Sequence, residues 1–145
     1  NFVLEARRRR SDVIFGGDFI AGFPTEDESA HQQSLKLIKE AEISYVHVFP
    51  YSDRENTAAS KMPKVLKKDI KSRAKELRNL AEKQHKQFLK SQIGTIQNVL
   101  VEKNSTGHAA NFAKIKLQES IHSNEIVSTQ ILDVNSNYLI GIIKN

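Results

Sequence analysis

Two short apolar runs, Asp18–Ala21 and Tyr45–Phe49, stand one amphipathic helix apart, and this spacing restricts the fold more than any other feature of the chain. A strand, a helix and a strand in that order make a βαβ unit, with parallel strands and an almost always right-handed crossover. Val13-Ile14-Phe15 and Gly16-Gly17 lead into the first run, which predicts a short buried strand with a glycine-permitted bend. Gly22-Phe23-Pro24 ends it. Thr25, followed three residues later by Glu28, is a capping-box pattern, and Glu26 and Asp27 suit the positive end of a helix. Ala30, Leu35, Leu37, Ile38 and Ala41 then predict a helix from about Glu26 to Glu42. Two strands cannot make a sheet covered on both faces, and a full (β/α)₈ barrel takes roughly 200–250 residues. The unit is therefore expected to be a slice of an α/β barrel. Its open edges and apolar face predict instability or association in residues 1–60.

From Leu66 the apolar positions Leu66, Ile70, Ala74, Leu77, Ala81 and Phe88 form a helical stripe, with Lys and Arg on the other faces. This predicts one long helix over about Lys67–Lys90, punctuated by Gly94. Beyond it the pattern changes to short β-branched runs at Ile96–Glu102, Ala109–Gln118, Ile126–Asp133 and Tyr138–Lys144, separated by turn-forming clusters. Four or five strands in so short a stretch predict a small all-β barrel. The division expected is residues 1–65 as an α/β barrel slice, 66–92 as a basic helix and 93–145 as a small β-barrel. Phe2, Val3, Leu4 and Ala6 read as the end of a helix.

The 145 residues carry a net charge of +5, unevenly spread. Residues 61–90 hold most of the excess of Lys and Arg, while the rest of the chain is slightly acidic. Such a concentration is either an electrostatic footprint for a polyanion or the solvated face of a Lys-rich helix. With no cysteine, disulfides, thiolate metal sites and a cysteine nucleophile are ruled out, which fits a cytoplasmic location. No apolar run is long enough to span a membrane, and Arg7–Arg10 precede no apolar stretch of the signal-peptide kind. The five histidines, His31, His47, His85, His108 and His122, have no zinc-site spacing. His47, on a strand, is expected to be a packed or hydrogen-bonded core residue. Nothing in the chain reads as a Walker loop, a Rossmann fingerprint or a nucleophile elbow.

Two strand-end segments carry the chemistry. The first is Asp18-Phe19-Ile20-Ala21-Gly22-Phe23-Pro24-Thr25-Glu26, and the second is His47-Val48-Phe49-Pro50-Tyr51-Ser52-Asp53-Arg54-Glu55-Asn56-Thr57-Ala58-Ala59. Together they resemble consecutive strand ends of radical S-adenosylmethionine enzymes of the tRNA methylthiotransferase family. The first follows the family form D-x-I-x-G-F-P-G-E-T, with Thr25 where the family usually has Gly. The second follows F-x-Y-S-x-R-x-G-T-x-A-x-x-M through Phe49, Tyr51, Ser52, Arg54, Thr57, Ala59 and Met62, with Asn56 at the usual Gly. Arg54 favours the tRNA-modifying branches, and the His47–Ser52 wording is most similar to the threonylcarbamoyladenosine-tRNA methylthiotransferases. Lys71, Arg73, Leu77 and Leu80 match the family's basic helix. Gly94–Glu102 and Asn111-Phe112 resemble the start of its RNA-binding β-barrel, the TRAM domain.

The resemblance implies a chain that forms the C-terminal part of an enzyme adding a methylthio group to C2 of a modified adenosine beside the anticodon. The full enzyme uses S-adenosylmethionine and two iron–sulfur clusters of the [4Fe-4S] type, one held by C-x-x-x-C-x-x-C. This chain lacks every cluster cysteine and is expected to bind none of these groups alone. By resemblance, Gly22, Glu26, Phe49, Tyr51, Ser52 and Arg54 border the cofactor, and Lys71, Arg73, Arg78 and Phe112 contact RNA. Phe112 and Tyr138 are the aromatics available to stack on bases. The partners implied are tRNA and, where the protein is split, a separate chain carrying the cluster-binding part. A stand-alone RNA-binding module and an inactive remnant are the alternatives.

Overall fold

Within residues 14–85 the predicted strand–helix–strand order is realised. The computed structural model describes residues 2–144, which divide into that unit and a second one built from residues 2–13 and 86–144. Helix α1 (Phe2–Arg9) opens the chain, with Glu5 accepting hydrogen bonds from the guanidinium groups of Arg8 and Arg9 at 2.9 and 2.8 Å. Strand β1 (Gly16–Ala21) and strand β2 (Tyr45–Pro50) pair in parallel and in continuous register, from Gly16 opposite Tyr45 to Ala21 opposite Pro50. Helix α2 (Glu28–Glu40) connects them. Val13-Ile14-Phe15, expected inside the first strand, lies before it.

The capping-box expectation is corrected. The N-cap of α2 is Asp27, whose carboxylate accepts the Ala30 N–H at 2.7 Å. Thr25 is instead held in a turn, donating its N–H to the Pro63 carbonyl at 3.1 Å while Glu26 donates to Phe23 at 2.9 Å. Its φ of 71° belongs to the left-handed region, which costs a β-branched residue roughly 1–2 kcal/mol. At the other end α2 stops at Glu40, short of the predicted Glu42. There Glu42 turns the chain with φ of 48°, Glu42 N–H bonds Lys39 and Ile43 N–H bonds Ile38. That pair of bonds is a Schellman cap, and the buried side chains of Ile38 and Ile43 sit at its two hydrophobic positions.

Helix α3 (Lys67–Ser91) follows a short 3₁₀ turn at Ala59–Lys61. Its apolar stripe buries Ala74 and Leu77 in the first unit, where Ala21, Ile38, Ala41 and Ile43 are also buried. The second unit contains strands β3 (Ile96–Lys103), β4 (Thr106–Ala109), β5 (Lys114–Leu117), β6 (Ile126–Asn135) and β7 (Tyr138–Ile143). They close into a barrel in the order β3-β4-β5-β7-β6, antiparallel except for β5 and β7. Alternation of period two sends Val99, Val101, Ala109, Ile115, Leu117, Thr129, Ile131 and Leu139 inward, where all are buried. Gly107 is required by close approach, since a Cβ there would collide with the backbone of Leu100. The run expected over Ala109–Gln118 holds one strand, β5, while its first residue, Ala109, ends β4, which begins at Thr106. The break is a turn in which Phe112 N–H bonds Ala109 and Ala109 N–H bonds Ala113, with Phe112 at φ of 62°.

Thr25→Gly relieves the left-handed threonine and raises stability by about 1 kcal/mol, which calorimetry reads as a thermal midpoint a few degrees higher. Tyr45, at the start of β2 with its ring 5.1 Å from that of His85, has its phenol pushed up to about 12 by burial. Because the folded state favours the neutral phenol, stability is fully present below pH 10 and is lost as pH rises toward 12. Phenolate absorbance should show Tyr45 ionising only at this upper limit, with unfolding over the same interval.

Candidate functional site

Of the residues singled out by sequence, Gly22, Glu26, Phe49, Tyr51, Ser52 and Arg54 lie in or just after the C-terminal ends of β1 and β2. Register puts Asp18 and Ile20 on the same face as His47 and Phe49, and all four are exposed. Ile20 and Phe49, neighbours across the pair, are 53% and 52% accessible. His47 is therefore not the packed core residue expected. It lies on the uncovered face of a two-stranded sheet, whereas Ala21, one residue beyond Ile20, points to the buried side.

The turn after β1 is organised around one carboxylate. Glu26 Oε2 accepts the Gly22 N–H at 3.1 Å, and Glu26 Oε1 accepts Nη1 of Arg73 at 2.9 Å. The same Nη1 donates to the Glu26 carbonyl at 2.9 Å, and Nη2 lies 3.6 Å from Glu28. The Arg73 and Glu26 side chains are only 12% and 10% exposed. A pair so shielded from water interacts far more strongly than one at the surface. Gly22 has φ of 73°, and a Cβ there would run into the side chain of Ile70 on α3. Gly22 thus lets the helix close over the turn. Arg73, assigned to RNA by resemblance, is anchored inside this turn together with Glu26.

After β2 the chain folds back through Tyr51, whose N–H bonds the Ala21 carbonyl at 2.8 Å. The Tyr51 ring meets that of Phe23 edge-on at 5.7 Å. Its hydroxyl donates to Asp53 at 3.0 Å, and Lys64 Nζ donates to the same Asp53 oxygen at 3.0 Å. The Lys64 hydrogen bond, with that of Tyr51, holds the Asp53 carboxyl below the usual carboxylate range. Lys64 also sits 5.5 Å from the Tyr51 ring centroid. Ser52 and Arg54 are exposed, and the Arg54 guanidinium has no side-chain partner among the described residues. Asn56 takes φ of 64°, so both positions that depart from the family's glycines adopt left-handed backbone.

Lys71 and Arg78 lie apart from Arg73. With Pro50, Tyr51, Lys67, Ile70 and Ala74 they line a groove of about 290 Å³ beside the end of β2. Sequence reading missed Lys67 here, although its i, i+4, i+11 relation to Lys71 and Arg78 marks one helix face. In the other unit Phe112 is 76% exposed on its turn, and Tyr138 starts β7 on the outer side of the barrel. The Phe112 turn is braced by Asn111, which accepts the Ala113 N–H at 3.2 Å and donates to Gln92 at 3.0 Å. No group of three His, Cys, Asp or Glu side chains suited to a metal ion occurs among the described residues. A cysteine-held cluster does not fit this chain, which has no cysteine. Among the described residues no helix is long and apolar enough to cross a membrane.

No family model matches the chain. Comparison with curated proteins defines its class nonetheless: the chain is homologous to tRNA methylthiotransferases, in their C-terminal region. It is 40% identical over 138 residues to the threonylcarbamoyladenosine tRNA methylthiotransferase MtaB of Rickettsia prowazekii, covering 95% of this chain and 33% of that protein. The protein of the same name from Aquifex aeolicus is 38% identical over 117 residues, 80% of this chain and 28% of its own length. A tRNA-2-methylthio-N(6)-dimethylallyladenosine synthase of Ehrlichia ruminantium is 32% identical over the whole chain and 35% of its own length. The chain thus spans about a third of the length of the curated relatives it matches.

The buried pair gives a direct test of the site's architecture. Arg73→Ala leaves the Glu26 carboxylate uncompensated and should destabilise the unit by about 3 kcal/mol in urea unfolding. Arg73→Lys keeps the charge but not the planar fork, and should recover only part of the loss.

Proposed function

We propose that this chain is the tRNA-holding, C-terminal part of a methylthiotransferase that adds a methylthio group to C2 of threonylcarbamoyladenosine beside the anticodon. The observation that carries the reading is the 40% identity to a threonylcarbamoyladenosine tRNA methylthiotransferase over 95% of the chain. The β1–α2–β2 unit is then a slice of the radical S-adenosylmethionine barrel, and the closed five-stranded barrel is its TRAM domain. The radical and sulfur chemistry belongs to S-adenosylmethionine and to [4Fe-4S] clusters that this cysteine-free chain does not hold. Its own residues have binding and shaping roles. Phe49, Tyr51, Ser52 and Arg54 border the cofactor from the end of β2, while Gly22 and Glu26 set the turn beside it. Lys71, Arg78 and Phe112 contact RNA, and Arg73 fixes α3 to the turn. Phosphate contacts of this kind are largely independent of sequence and weaken with salt. The protein would work in the cytoplasm with tRNA and with a cluster-carrying part, without a membrane.

A second reading, a stand-alone RNA-binding module, is favoured by one observation: the barrel closes on itself around its own buried core. Both readings require RNA binding. Purified chain should bind a tRNA anticodon stem-loop in a fluorescence anisotropy titration, with affinity falling steeply as salt rises. Reconstitution with iron and sulfide should leave no visible chromophore. Addition of the cluster-bearing region of a relative should yield methylthiolated nucleoside, detected by mass spectrometry, under the first reading and none under the second. Absence of RNA binding at low salt sinks both.

A further inference from the structure

Lys67, Lys71, Ala74 and Arg78 recur along α3 at i, i+4, i+7 and i+11, which is one stripe of a helix. Lys67, Lys71 and Arg78 line a groove of about 290 Å³ together with Pro50, Tyr51, Ile70 and Ala74. None of the three cations pairs with an acidic side chain among the described residues. Arg78 donates one hydrogen bond, from Nη2 to the Val48 carbonyl at 3.4 Å, which draws its guanidinium to the end of β2. Arg73, also on α3, differs in pairing with Glu26, and Lys64, just before the helix, pairs with Asp53.

Three unneutralised cations along one groove repel each other, and an anion between them removes that repulsion. The floor is apolar, made by Ile70, Ala74 and the body of Tyr51. A low-dielectric floor strengthens the attraction to a bound anion and accommodates the carbon face of a sugar. Lys67 is the first residue of a 25-residue helix, whose positive end adds to the field. The volume suits one or two small groups and excludes a folded element or a helix.

The geometry points to a phosphate seat in this groove, in which Lys67, Lys71 and Arg78 hold one sugar–phosphate segment of an RNA strand. The RNA source rests on the function proposed above; the phosphate chemistry rests on the groove alone. Lys67 and Lys71 are exposed and have no ion pair among the described residues, so Lys67→Gln with Lys71→Gln removes the charge and leaves the fold. A control, Lys83→Gln with Lys90→Gln, removes equal charge from exposed positions of α3 outside the groove.

Binding is measured for a 5′-labelled single-stranded RNA of about 12 nucleotides, long enough to reach beyond one seat, and separately for inorganic tripolyphosphate by calorimetry. The expected result is that the groove variant loses about tenfold in RNA affinity at low salt and lowers the slope of log K against log salt by about 1.4, two single-strand phosphate contacts. It should also lose tripolyphosphate binding, while the control variant keeps both within about twofold of the parent. Groove and control variants that lose RNA affinity equally would overturn the seat and leave RNA binding in place. Binding of tripolyphosphate through Lys67 and Lys71 with no RNA binding by the parent would uphold the phosphate chemistry and overturn the RNA source. No binding of either by the parent would overturn both.

Discussion

The Glu26 carboxylate, shared between the Gly22 N–H and the Arg73 guanidinium, is the interaction on which the first unit depends. It joins a turn after β1 to a helix that begins more than forty residues later in the chain. The pair is almost completely withdrawn from water, and desolvation would make it a liability if any donor or acceptor went unmet. Here the charges face each other, and two backbone groups, the Gly22 amide and the Glu26 carbonyl, complete the network. Ile70 fills the space that the absent Gly22 side chain leaves. The early part of α3 is thereby pinned against the strand ends, which is why Lys67, Lys71 and Arg78 come to border Pro50 and Tyr51.

Backbone conformation matters as much as side chains at these strand ends. Thr25 and Asn56 both occupy the left-handed region, one in each of the loops that follow β1 and β2. Asn accepts that region readily, whereas Thr does so only because bonds to Pro63 and from Glu26 to Phe23 hold the turn. Phe112, with φ of 62° and an exposed ring, is the barrel's counterpart. Hydrogen bonds around Ala109, Asn111 and Ala113 keep a bulky residue in a conformation it would avoid in a free chain. The outcome is an aromatic side chain held out from a stiff turn, the form in which stacking on a base loses least entropy.

The electrostatics divide along similar lines. Basic residues are crowded into 61–90, yet they do unlike work. Arg73 is a strut, Lys64 braces Asp53 and Tyr51, and the stripe of Lys67, Lys71 and Arg78 has no acid to satisfy it among the described residues. Net charge alone treats them as equivalent. Only those whose charge is not matched within the protein contribute to the field that an anionic partner meets.

Much of the fold was legible in the chain because it rests on periodicity. The apolar run Tyr45–Phe49, the helical stripe from Leu66 to Phe88 and the β-branched runs beyond Gly94 set the order of elements and a small closed barrel. These are local consequences of burying one face of each element. Homology to part of the tRNA methylthiotransferases was legible too, in the strand-end wording from Asp18 to Glu26 and from His47 to Ala59. The cap of α2 was misread because Thr25 and Asp27 are both competent caps, and the choice fell to a bond from Thr25 to Pro63, far off in sequence. His47 was misread because an apolar run predicts a strand and not which of its faces is covered. Arg73 could not be told from Lys71 or Arg78 by type or spacing. Its partner is Glu26, and only the folded chain brings a residue of the first turn to the wall of the last helix, where low dielectric turns a surface cation into a buried strut.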